Sequence, residues 1–201
     1  MNARIAVLAS GVGSNLQALL EDAAVGPCIA LVVSDRPDAR ASRRAEGAGI
    51  ASVFLDPVEH GGRDGYDAAL LALLQDRRID VVVSAGFMRI LGPDVVHAYA
   101  GRCLNVHPSL LPAFAGANAV ADALAWGVKV TGATVHVVDE EVDHGPIVAQ
   151  EAVPVSDDDD EWSLHARIQQ AEHRIYAPAV RALLEGRVRV DGRRVAIDER
   201  R

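Results

Sequence analysis

Apolar residues in the first half of the chain fall in short, nearly unbroken runs, and the stretches between them repeat apolar positions at helical spacing. Residues 5–9, 29–34, 52–55, 81–85 and 103–106 read as strands, and 15–21, 39–48, 64–75 and 94–100 read as helices. Strands that are apolar on both faces and alternate with helices predict a parallel sheet covered on each side. The pattern changes after Gly127. Residues 130–138 and 147–155 read as long strands joined by the turn-rich segment 139–146, which predicts an antiparallel hairpin. A helix is predicted over 161–184, with the acidic run Asp157–Asp160 complementing the positive end of its dipole. Residues 188–197 read as a small hairpin turning at Asp191-Gly192. The expectation is an α/β fold with one open, doubly wound sheet, parallel in the amino-terminal half, with an antiparallel hairpin in the carboxy-terminal half. No linker divides the chain, so residues 1–201 are read as a single domain.

Composition narrows the setting. The chain has 201 residues, half of them apolar but only 4% aromatic, so the core is built from Val, Leu, Ile and Ala. A formal net charge of −8 argues against a nucleic-acid surface, which would show a basic patch. Cys28 and Cys103 lie in apolar, strand-like runs without metal spacing and read as reduced, buried thiols of a cytoplasmic protein. The apolar start at Ile5 is too short for a signal or a membrane segment.

Three segments carry candidate chemistry. The first strand runs into Ser10-Gly11-Val12-Gly13-Ser14-Asn15, where glycines and a helix start offer backbone amides to an anion. The third glycine of a dinucleotide fingerprint and the Gly-Lys-Ser/Thr ending of a P-loop are both missing, so a small phosphate monoester fits best. The fourth strand ends in Gly86-Phe87-Met88-Arg89-Ile90-Leu91, an apolar run with one arginine that suits a flat, partly anionic ligand. The fifth strand ends in Asn105-Val106-His107-Pro108, where two-residue alternation turns Asn105 and His107 to one face. That pairs an amide able to donate to an oxyanion with an imidazole that moves protons near neutral pH. A strand order of 3-2-1-4-5 would bring the three segments to one sheet edge, where ligands of open α/β sheets sit. Further along, His136 sits on one face of a strand and Asp143 in a glycine- and proline-shaped turn. Glu172 lies on the long helix.

Taken together, residues 11–18, 85–91, 105–112, 132–136 and 143–146 resemble the phosphoribosylglycinamide formyltransferases (glycinamide ribonucleotide transformylases), in the same order and over nearly the whole chain. The resemblance implies the formyltransferase fold and a metal-free transfer of a formyl group. The donor would be 10-formyltetrahydrofolate and the acceptor the amine of 5-phosphoribosylglycinamide. It implies a catalytic trio of Asn105, His107 and Asp143, with the first two stabilising a tetrahedral intermediate and Asp143 favouring charged His107 and assisting proton relay. It implies that Gly11, Val12, Gly13, Ser14 and Asn15 hold the substrate phosphate and that Glu172 holds its glycinamide or ribose end. Folate contacts are implied for Arg63, Phe87, Met88, Arg89, Ile90, Leu91, Val138 and Asp139. It leaves room for a homodimer and gives no role to a membrane or nucleic acid.

Two positions depart from the family pattern: Ala115 stands where proline is usual, and Asn118 where histidine is usual. Asn118 keeps hydrogen-bonding capacity but no charge. Restoring the histidine is expected to raise turnover, and proline at 115 to add to the gain by stiffening the loop. Three rival readings remain. A formyltetrahydrofolate deformylase shares much of this core but typically has His-His-Ser-Phe where His107-Pro108-Ser109-Leu110 stands. An enzyme formylating methionyl-tRNA would need a nucleic-acid-binding domain. A non-catalytic folate- or nucleotide-binding module would not need Asn105, His107 and Asp143.

Overall fold

The computed structural model describes residues 3–199, in two compact units that divide between Leu104 and Asn105. In the first unit β1 (Ile5–Leu8) is central: β2 (Ile29–Ser34) pairs with it on one side and β4 (Val81–Ser84) on the other, and β3 (Ala51–Phe54) pairs with β2. All these pairings are parallel, as the near-continuous apolar runs predict. The helices α1 (Ser14–Glu21), α2 (Arg40–Gly47), α3 (Arg63–Asp76) and α4 (Pro93–Ala98) follow β1 to β4 in turn. Each buries apolar side chains, among them Leu16 and Leu19, Ala41 and Ala45, Leu70 and Leu74, and Val95 and Val96. The strand order 3-2-1-4 is the one that reverses direction next to β1. The Val82 N–H donates to the Arg102 carbonyl, which starts β5 (Cys103–His107) beside β4.

The second unit opens with the end of β5 and is built on the antiparallel pair β6 (Val130–Val137) and β7 (Ile147–Pro154). The helix α6 (Glu161–Leu184) lies against this pair, burying Leu164, Ile168 and Ala171 with Ala133, Val153 and Val120. It starts as the acidic run predicts. The Asp160 carboxylate accepts from the Ser163 N–H at 2.7 Å and the Ser163 hydroxyl accepts from the Asp160 N–H at 3.1 Å, a reciprocal capping box. The hairpin of β8 (Val188–Asp191) and β9 (Arg194–Ile197) closes the unit, with β9 against β7.

Two expectations need correction. The helix α5 (Ala119–Trp126) was not among the predicted elements. Its Ala-rich run gives little amphipathic contrast, and its Asn118 cap makes no side-chain hydrogen bond, so neither a pattern nor a start signal marks it. Cys28 is not in a strand: it ends a single 3₁₀ turn, Gly26–Cys28, and is half-buried. Cys103 is fully buried, and burial pushes its thiol up to about 12.

Candidate active site

In the second unit, β5 and β6 supply three polar side chains that converge on one carboxylate. Asn105 and His107 come from alternate positions of β5 and His136 from β6. The turn after β6 supplies Asp143. His107 Nδ1 is 3.4 Å from Asp143 Oδ2, and His136 Nε2 is 3.7 Å from Oδ1 of the same group. Asn105 Nδ2 is 3.1 Å from His136 Nε2. Both imidazoles are buried. The sequence-predicted trio is therefore brought together, Asn105 through His136.

Hydrogen-bond chemistry assigns the protons. The Val137 carbonyl, which only accepts, lies 3.0 Å from His136 Nδ1, so Nδ1 carries the hydrogen. Nε2 faces both the Asn105 side chain, at 3.1 Å, and Asp143 Oδ1, at 3.7 Å. On His107, Nε2 is 2.8 Å from the Phe114 carbonyl and must be the donor there. Its other nitrogen, Nδ1, faces the Asp143 carboxylate at 3.4 Å.

Asp143 is held unusually for a non-glycine residue, at φ 51°, in the left-handed region that asparagine and aspartate enter at the least cost. Burial alone would raise its carboxyl. The neighbouring His136 imidazole, the Gly116 N–H donating to Oδ2 at 2.8 Å, and the nearby His107 outweigh burial and hold it below the usual carboxylate range. The next glycine is required by space. A Cβ on Gly145 would lie 1.7 Å from the Val137 carbonyl oxygen.

The chain leaving β5 is tied down by groups that sequence reasoning did not single out. The Thr134 hydroxyl donates to the Ser109 carbonyl at 2.6 Å and accepts from the Leu111 N–H at 3.0 Å. Gln150 donates to the same hydroxyl and to the Leu111 carbonyl, each at 2.9 Å. The Ser109 hydroxyl donates to the Ala113 carbonyl at 2.6 Å, which draws the following loop toward His107. Only alternation along β6 hinted at Thr134 and His136, and alternation does not say which face is the site. A register shift between Val135 and His136 also breaks the simple pattern.

The loop after Pro112 therefore lies over the trio, with the Phe114 carbonyl at His107 and the Gly116 amide at Asp143. Ala115 lies between these two contacts, and Asn118 is exposed at the start of α5. This changes one expectation. Phe114 has φ 54°, and a proline at 115 disfavours helical conformations in the residue before it. Proline at 115 would thus disturb the Phe114 carbonyl contact instead of simply stiffening the loop.

In the first unit, the loops after β1 and β4 do meet. The Ser10 N–H donates to the Gly86 carbonyl at 3.0 Å, and the Met88 N–H donates to the Ser10 hydroxyl at 2.8 Å. The Ala41 N–H donates to the Gly11 carbonyl and Arg44 Nε to the Val12 carbonyl, so α2 braces this loop from behind. Gly13 has φ 73° and caps α1, and a Cβ there would lie 2.9 Å from Ala41. The helix starts with no side-chain cap hydrogen bond. Of the predicted folate segment, Phe87 and Leu91 are buried, while Met88 and Ile90 are exposed. The Arg89 guanidinium stacks 4.5 Å over the Tyr66 ring. Arg63, the first residue of α3, pairs with Asp67 at 3.7 Å. In the second unit Asp139 Oδ2 is 2.8 Å from His144 Nδ1, Val138 is partly buried, and Glu172 is buried in α6 beside Ala171. An exposed helix glutamate is the commoner case, so the burial of Glu172 marks it out. Among the described residues no group of three or more His, Cys, Asp or Glu side chains is arranged to hold a metal, and no helix is long and apolar enough to cross a membrane.

The second unit of this α/β chain turns an amide, two imidazoles and a carboxylate toward one point, the kinds of group that an acyl-group transfer uses. The formyl transferase family model matches residues 3–180, and the chain belongs to that family. It is 55% identical over 194 residues to the phosphoribosylglycinamide formyltransferase of Mycobacterium tuberculosis (strain H37Rv), covering 95% of this chain and 89% of that one. It is also similar to the crystal structure of glycinamide ribonucleotide transformylase 1 from Symbiobacterium toebii, with TM-score 0.95, 46% identity, and coverage of 98% and 95% of the two chains. A formyltetrahydrofolate deformylase from Pseudomonas syringae shares the fold at TM-score 0.90 with 31% identity, but this chain covers 67% of it.

Proposed function

We propose that this protein transfers the formyl group of 10-formyltetrahydrofolate to the amine of 5-phosphoribosylglycinamide. The observation that carries the reading is the convergence of Asn105, His107 and Asp143 in a chain of this family. The amine attacks the formyl carbon and the carbonyl electrons move to oxygen. The Asn105 amide, with Nδ2 3.1 Å from His136 Nε2, donates to the oxyanion. Protonated His107 supplies the second donor when the oxyanion takes the place of the Phe114 carbonyl at Nε2, and the Asp143 charge stabilises that form. As the intermediate collapses, the amine proton leaves through the His107–Asp143 pair and water, and the folate nitrogen that loses the formyl group gains a proton. Charge stabilisation by preorganised donors is the largest single contribution in such reactions, and this chemistry needs no metal.

The remaining roles follow the resemblance. Residues 11–15 bind the substrate phosphate, supported by an uncapped helix start behind a left-handed glycine. Glu172 binds the glycinamide or ribose end. Arg63, Phe87, Met88, Arg89, Ile90, Leu91, Val138 and Asp139 bind the folate, for which exposed Met88 and Ile90 offer apolar surface. Residues 1–201 act as a single domain, a reading supported by a family match over residues 3–180. The setting is cytoplasmic, in keeping with two free thiols. Purified protein given 10-formyltetrahydrofolate should consume it only when phosphoribosylglycinamide is present, without added metal. Equal consumption with and without the amine would overturn the transferase reading in favour of a deformylase.

A further inference from the structure

The hairpin of β8 and β9 has no part in the proposed chemistry, yet its tip grips the loop that carries Asp143. Asp191 and Arg194 face each other in the ladder, so Gly192 and Arg193 form the turn, with Gly192 at φ 56°. Arg193 Nη2 donates to the His144 carbonyl at 2.6 Å, and Nη1 lies 3.1 Å from His144 Nε2. A guanidinium only donates, so Nε2 accepts and Nδ1 carries the ring hydrogen. Nδ1 then donates to Asp139 Oδ2 at 2.8 Å, and Asp139 Oδ1 accepts the Glu141 N–H at 3.2 Å. One planar fork therefore fixes both the main chain and the ring tautomer of His144, and the chain of bonds runs back to the start of the same loop.

His144 follows Asp143 directly, and Asp143 holds a left-handed backbone that its surroundings must maintain. From the side-chain direction, Gly116 and the two imidazoles orient the carboxylate. From the backbone direction, only the 139–146 turn can do so. We propose that Arg193 is a positioning residue: by clamping His144 it holds the Asp143 backbone so that the carboxylate faces His107 and His136. The proposal rests on the formyl-transfer reading for its kinetic consequence but not for its structural one.

The test compares Arg193→Ala, Arg193→Lys and the hairpin control Arg194→Ala with wild type, in steady-state kinetics and in amide hydrogen exchange. Arg193→Ala should lower kcat about tenfold, while KM for phosphoribosylglycinamide changes less than about twofold, because loss of orientation acts on the transition state and not on ground-state binding. Arg193→Lys should recover part of that loss, and Arg194→Ala should match wild type. Exchange in residues 139–146 should rise in Arg193→Ala, and exchange in α6 should not. Wild-type kcat in Arg193→Ala, or unchanged exchange in 139–146, overturns the proposal. If wild-type protein shows no amine-dependent formyl transfer, the functional reading fails, and the exchange comparison by itself decides whether Arg193 holds the loop.

Discussion

The Phe114 carbonyl lies 2.8 Å from His107 Nε2, while two residues on, the Gly116 amide donates to Asp143 Oδ2 at 2.8 Å. The three-residue stretch 114–116 thus occupies a hydrogen-bonding position on the imidazole and another on the carboxylate that faces it. Any group that is to receive a proton from His107 Nε2 must take the place of the Phe114 carbonyl. The turn that departs from the family pattern is therefore the turn that sets access to the chemistry.

Asn105→Ala and His107→Ala should each fold like wild type and lower kcat by about 100-fold or more, the usual cost of losing one oxyanion donor. Thermal unfolding alongside steady-state kinetics separates the two effects. Wild-type turnover in either variant removes that residue from the mechanism.

Asp143 bears on both pH dependence and stability. Its carboxyl lies below the usual range in the folded protein, so it binds protons less readily than in the unfolded chain, where its value is about 3.9. Its ionisation therefore contributes stability that is fully present above that unfolded value and is lost as pH falls through the lower folded one. The stability difference between wild type and Asp143→Asn should shrink as the pH falls below about 4. Acid titrations of both proteins followed by circular dichroism test this. A gap that does not shrink below pH about 4 would show that this carboxylate is not responsible.

The phosphate loop calls for a different substitution from the one its glycines first suggest. Gly13→Val would force a side chain into Ala41 at a left-handed backbone, so it should destabilise the fold and report little about binding. Gly11 has nothing within 4 Å of where its Cβ would be. Gly11→Val should fold normally and raise KM for phosphoribosylglycinamide about tenfold or more, with KM for the folate unchanged, because a phosphate site needs close approach of the backbone. A rise in the folate KM alone would reverse the assignment of the two ligands.

Thr134 is the buried hub of the turn after β5. Thr134→Val removes a donor to Ser109 and an acceptor for Leu111 and Gln150 without changing shape. It should cost about 1–3 kcal/mol of stability, the usual consequence of stranding buried polar groups. Chemical denaturation should show that loss, and unchanged stability would mean that water or a shifted Gln150 replaces the hydroxyl.

Asn118→His should raise turnover several-fold, on the order of the gain from adding a charged, proton-exchanging group near the amine. Ala115→Pro should not add to this. Proline disfavours the Phe114 conformation that carries its carbonyl to His107, so the double variant should turn over differently from the single, with KM rising as the loop loses its resting position. Kinetics of both beside wild type decide the matter. If the double variant exceeds the single with no change in KM, the Phe114 contact has no bearing on the reaction.

The sequence by itself determined what is written in short-range periodicity. Unbroken apolar runs at 5–9, 29–34 and 81–85 require strands buried on both faces, and the helix at Glu161–Leu184 with its acidic cap appears with the predicted bounds. The glycines of residues 11–13 and the alternation of Asn105 with His107 are likewise local, and so they could be read before any contact was known. The tertiary structure alone decided which side chains meet across long separations: Asn105 with His136, His107 with Asp143, and Arg193 with His144. A two-residue period says that His136 lies on a face, but strand pairing and a register shift beside it decide that the face is the site. In the same way, nothing local announces that the Phe114 carbonyl covers His107, because every residue has a carbonyl and only the path of the chain selects one.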